Sequence, residues 1–204
     1  MITFSRSLFQ VYKAIPGGLY GVLSVGINSL GSLIAFLFFP GYSIFQYNIS
    51  HLALSPGGLF FNLGLIISGL LAIPFNINLG KVVSGEKINE KIKDIVVKIS
   101  ILDSVALSLI GVFPAHPENL VILTIHGLLA LVFFICTTII FVIYGYFFLK
   151  SSKFLKVQAY SSLIVAGSLC IYIAVRWSIL EWIAFFGIAI SVLSTSIFLL
   201  YKKY

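Results

Sequence analysis

Between Leu120 and Leu149 the chain reads LVILTIHGLLALVFFICTTIIFVIYGYFFL, without one Lys, Arg, Asp or Glu, and it continues Lys150-Ser151-Ser152-Lys153. An apolar run of this kind is a membrane span, since about 20 helical residues cross the roughly 30 Å of hydrocarbon in a bilayer. This one exceeds a single crossing, which predicts that it tilts or projects past the hydrocarbon. Outward from it, apolar segments recur at 19–39, 59–80 and 95–114 on one side and at 157–177 and 179–201 on the other. The pattern predicts an all-α membrane protein, a bundle of six transmembrane helices in one domain over 19–204. Residues 1–18 set Ile2, Phe4, Leu8, Phe9 and Tyr12 among Arg6 and Lys13, which predicts a short interfacial segment. The run from Leu19 to Phe39 is too long for the apolar region of a signal peptide and reads as a retained helix.

The composition agrees with lipid as the solvent. The chain is 60% hydrophobic and 9% charged, with a mean hydropathy of +1.12, whereas about a quarter of a soluble domain is charged. A formal charge of +7 suggests nucleic acid in a soluble protein, but here the basic residues crowd into short loops beside apolar spans. That placement speaks for topology and anionic head groups and against nucleic-acid binding. Cys136 and Cys170 both lie within apolar segments, at different expected depths, and read as small packing residues.

Charge also orients the bundle. Of the 13 Lys and Arg residues, all but Arg176 fall at segment ends that share one side: Arg6, Lys13, the cluster from Lys81 to Lys98, Lys150, Lys153, Lys156, Lys202 and Lys203. The positive-inside rule therefore predicts that both termini and the loops near 81–94 and 150–156 are cytoplasmic, in the cell membrane. The loops near 40–58, 115–119 and 177–179 then face outward. The largest of these, PGYSIFQYNISHLALSPGG, is aromatic, nearly uncharged and bounded by Pro-Gly pairs, so it is expected to lie across the membrane surface and to cap the bundle.

Each span carries a seam of small or polar residues in helical phase: Ser24, Asn28, Gly31 and Ala35; Asn62, Gly69 and Asn76; Ser100, Asp103, Ser104, Ser108 and Gly111; Ser161, Ser168 and Tyr172. Small residues allow close approach of helices and polar ones satisfy each other across the interface, so the seams mark inward faces. Asp103 stands out, because it lies near mid-membrane with no basic residue at its depth. An ionised carboxylate is costly there, so Asp103 is expected to be neutral and hydrogen-bonded to Ser104, Asn28 or Asn76, with a proton- or ion-linked role as the functional alternative.

The remaining chemistry gathers toward the outer side. His51 and His116 lie in outer loops, His126 about two turns into the fourth span, and Arg176 and Glu181 flank the last outer turn, where they are expected to pair. A polar cavity lined by His51, Asn62, His126, Glu181 and Arg176 is one reading. A zinc site on His51, His116 and His126 is another, since histidines with one open coordination position suit hydrolysis. No spacing forms a helical metal motif such as H-E-x-x-H, and the first expectation is a protein without a cofactor.

Five stretches recur in a characteristic order: Pro40-Gly41-Tyr42-Ser43, then Asn48-Ile49-Ser50-His51-Leu52, then Phe61-Asn62-Leu63-Gly64-Leu65 with Ser68-Gly69, then Gly111-Val112-Phe113-Pro114 with His126 downstream, and finally Glu181-Trp182. From about residue 19 to the C-terminus the chain resembles the prokaryotic family called domain of unknown function 998, small membrane proteins of six helices. It departs from the family pattern at His51, where members often carry Asp, and at Trp182, where they often carry Arg. The resemblance implies a fold and no reaction.

The residues favour a non-enzymatic membrane protein whose outer cavity contacts lipid head groups or a small ligand. An intramembrane zinc-dependent lipid hydrolase is the enzymatic alternative. An accessory subunit of a larger membrane complex, or a homo-oligomer, is the third, suggested by the lack of any extramembrane domain in these residues.

Overall fold

The computed structural model describes residues 15–84 and 88–204. Most of the expected interfacial segment, with Arg6 and Lys13, and the loop lysine Lys87 lie outside the described residues. Six helices are long and apolar enough to cross a membrane: α1 Gly17–Leu37, α2 Gly58–Val83, α3 Glu90–Val112, α4 Leu120–Lys150, α5 Lys156–Val175 and α6 Ser178–Tyr201. A 3-10 turn, Ile49–Leu54, sits in the long loop between α1 and α2. All the regular structure among the described residues is helical, and the protein is a multi-pass membrane protein built as expected from its apolar segments.

Local chemistry sets the ends. Asn89 accepts from the backbone amides of Lys91 at 3.0 Å and Ile92 at 3.4 Å, and Asn119 accepts from Ile122 at 3.1 Å, so both helices start on a side chain that satisfies free amide groups. Lys81 and Lys150 lie in the last turns of α2 and α4, where cations complement the exposed carbonyls. Lys153 reaches across to donate to the Val82 carbonyl at 3.3 Å. The α5–α6 connection is a tight corner in which Arg176, at φ 57°, adopts the left-handed conformation that usually falls to glycine.

Each helix packs on its neighbours in sequence, and α6 returns to pack on α1, so the six helices close into a ring. Small residues set the spacing. A Cβ at Gly31 would meet the Phe60 carbonyl, one at Gly69 would meet Ser108 and the Ser104 carbonyl, and one at Gly111 would meet the Asn62 carbonyl. Where backbones approach this closely, hydroxyls bond across the interface. Ser24 meets Ser68 Oγ at 2.8 Å between α1 and α2, and Ser108 donates to the Ile66 carbonyl at 3.1 Å between α2 and α3. Leu30, Leu33, Leu70, Leu128, Ile164 and Ile190 are exposed on the outside of the ring, as residues facing lipid chains should be.

Candidate functional site: a cavity inside the helix ring

The ring surrounds a partly open cavity of about 190 Å³ to which all six helices contribute. Its wall runs on α4 from His126 to Phe148 and on α6 from Glu181 to Thr195. At about 1.5 Å per helical residue these stretches measure roughly 33 and 21 Å, so the space is drawn out along the bundle axis. Most of the lining is apolar, including Phe61, Leu65, Phe133, Phe141 and Phe185. Asn28, Asn76, Asp103, Thr137, His126 and Glu181 interrupt it.

Asp103 is half-buried although it lies mid-helix, because its carboxyl group borders the cavity. Its partner is Thr137 of α4, which donates to Oδ1 at 2.8 Å. This corrects the expected partners. Asn76 instead donates to Ser104 at 3.2 Å, and the Asn28 side-chain oxygen is buried without a hydrogen-bond partner. Thr137 is a residue that sequence reasoning missed. The neighbouring Thr138 bonds the Phe134 carbonyl of its own helix at 2.7 Å, and nothing in the sequence separates the two threonines.

His126 is 7% exposed, and its Nδ1 lies 2.8 Å from the Phe113 carbonyl. A carbonyl only accepts, so Nδ1 carries the hydrogen, and in the neutral ring Nε2 is left as an acceptor. Phe113 is the residue that caps the C-terminal end of α3, just before Pro114, and its carbonyl is the one that meets the histidine. Glu181, 5% exposed, interacts with the Ile49 backbone amide and the Tyr172 hydroxyl, yet its Oε2 has no hydrogen-bond partner. The next residue, Trp182, donates its indole N–H to the Tyr42 hydroxyl at 3.1 Å, and Tyr42 donates to the Asn48 carbonyl at 2.8 Å. Burial pushes the Tyr42 hydroxyl well above the ordinary tyrosine range, so it stays a neutral donor. Adjacent residues of α6 thus fasten the long loop over the end of the ring, and Ile49 and Ser50 of that loop form part of the cavity wall.

The remaining expected site residues are placed differently. His51, Asn62 and Arg176 are not on the cavity wall. His51 packs its ring against Tyr47 with centroids 5.5 Å apart, although it is close enough to His126 to interact electrostatically. The Asn62 backbone carbonyl forms the close approach to Gly111 of α3, and its side-chain oxygen is buried without a hydrogen-bond partner. The expected Arg176–Glu181 pair is absent among the described residues: Arg176 is exposed at its left-handed corner while Glu181, one turn into α6, is buried. His116 is exposed on the α3–α4 turn, and no group of three or more His, Cys, Asp or Glu residues is gathered among the described residues.

No curated protein and no solved structure matches the chain. A family model described as protein of unknown function (DUF998) matches residues 22–200, a stretch that contains all the ordered motifs, the whole cavity wall and the Trp182–Tyr42 fastening. The closed ring of six membrane-spanning helices therefore belongs to that family of proteins of unknown function.

Proposed function

We propose that this protein binds one amphipathic molecule, a single alkyl chain with a small polar head, inside the helix ring. The observation that carries the reading is the shape of the cavity. A compact cavity of about 150 Å³ takes benzene, whereas the 190 Å³ here is distributed along the bundle axis. The drawn-out form suits an extended chain. Polar groups at the capped end, His126 and Glu181, give the head its place, and the phenylalanine-lined remainder receives the tail.

The proposed role is binding, with the membrane's own amphiphiles as the ligand source. In this reading the protein lies in the cell membrane with the lysine-rich helix ends and both termini in the cytoplasm, and the capped end of the cavity faces outward. Mass spectrometry of the purified protein tests the central claim. A single-chain amphiphile should be retained by the wild type and lost from Ala189→Phe, which fills the cavity, but retained by Ile190→Phe on the lipid face. Equal retention by both variants would exclude the cavity as the binding place.

A further inference from the structure

The ionisable groups on the cavity wall include two carboxyl groups and a histidine whose free ring nitrogen accepts. Glu181 and Asp103 are both carboxyl groups on the wall, and neither a lysine nor an arginine is among the described lining residues. Glu181 is 5% exposed and its Oε2 has no partner, while His126 has given its ring hydrogen to the Phe113 carbonyl and offers only the Nε2 lone pair. At the capped end Glu181 Oε2 and His126 Nε2 are therefore acceptors without a hydrogen-bond partner, and no cation stands among the described lining residues to meet them. Buried acceptors in that state call for a donor from elsewhere, and a buried carboxylate calls for a positive one.

We propose that the head group of the bound molecule is an amine, held as an ammonium ion by Glu181 with His126 Nε2 accepting a second hydrogen. This rests on the single-chain binding reading above and adds the ligand's chemical class. An ammonium group carries three donors and one charge, which matches the acceptor-rich end better than a hydroxyl with its single donor. Aromatic side chains on the same wall, Phe133 and Phe185, are of the kind that attracts a desolvated cation. A carboxylate or phosphate head would find no basic residue among the described lining residues to pair with and no donor to spare on Glu181 Oε2, so anionic amphiphiles are disfavoured by the same chemistry. Asp103 is already held by Thr137 at 2.8 Å, which leaves Glu181 as the carboxyl group open to the head.

The test compares three probes of equal chain length, decylamine, decanol and decanoate, on the full-length protein in a neutral detergent, with bound ligand per chain read by native mass spectrometry at graded concentrations. Decylamine should bind at one per chain, at least tenfold more tightly than decanol and more tightly still than decanoate, and Glu181→Gln should abolish that preference. Equal binding of decylamine and decanol by the wild type, or a preference for decanoate, overturns the amine assignment while single-chain binding stands. A preference for decylamine that survives Glu181→Gln overturns the role given to Glu181. Failure of all three probes to bind overturns both the amine assignment and the single-chain reading. Where Glu181→Gln fails to fold, the head-group ranking in the wild type still decides the ligand class.

Discussion

Trp182 donates its indole N–H to the Tyr42 hydroxyl at 3.1 Å, joining the start of the last helix to the loop between α1 and α2 across 140 positions of sequence. Around this bond Phe36, Phe39 and Tyr47 pack against Tyr42 with ring centroids 5.2 to 5.6 Å apart, and Phe185 packs against Trp182 at 5.9 Å. The loop is therefore a packed lid. Trp182→Phe keeps an aromatic ring and removes the donor, so it should loosen the lid by about 1 kcal/mol. Hydrogen exchange of residues 40–55 should speed up in this variant while exchange in α3 and α4 stays at the wild-type level. An unchanged lid would mean that ring packing alone holds the loop.

The Thr137–Asp103 bond predicts an asymmetric mutational response. Thr137→Val removes the donor and leaves a buried carboxyl oxygen unpaired, which costs about 1–3 kcal/mol. Asp103→Asn keeps an oxygen that accepts from Thr137 and should lie within about 1 kcal/mol of the wild type, whereas Asp103→Leu in the same helix should be as damaging as Thr137→Val. Combining Asp103→Leu with Thr137→Val should recover part of the loss, since neither partner is then left alone. Thermal unfolding in detergent reads all four variants, and strict additivity in the double variant would argue against a direct bond.

Glycines on the two sides of the ring should behave oppositely. A Cβ at Gly69 meets Ser108 and the Ser104 carbonyl, so Gly69→Val should force α2 and α3 apart at about 1–3 kcal/mol. A Cβ at Gly127 or Gly167 meets nothing within 4 Å. Gly127→Ala and Gly167→Ala should be neutral or stabilise by up to about 1 kcal/mol through helix propensity. Melting temperatures that rank Gly167→Ala below Gly69→Val would contradict the ring packing.

Orientation is open to chemical labelling. With Cys136 and Cys170 replaced by serine, a single cysteine at Pro117, exposed on the α3–α4 turn, should react with a membrane-impermeant maleimide on intact cells. A single cysteine at Ser84, beside Lys81, should react only after the membrane is broken. External labelling at position 84 would reverse the assignment.

The amino-acid sequence alone determined the solvent, the six spans and the family, because apolar run length and ordered motifs are properties read along the chain. It also located Asp103, His126 and Glu181 as residues too polar for their depth, since the burden of a polar group in hydrocarbon depends on position in the span. It did not determine which groups meet. Asp103 was expected beside Ser104, Asn28 or Asn76, yet its partner is Thr137; Arg176 was expected on Glu181, yet the corner at Arg176 leaves it exposed. His51 and Asn62 lie near the capped end of the cavity without reaching its wall. Those outcomes depend on the rotation of each helix about its own axis and on closure of α6 against α1. Both are set by side-chain packing between residues far apart in the chain, so the cavity and the character of its wall exist only in the tertiary structure.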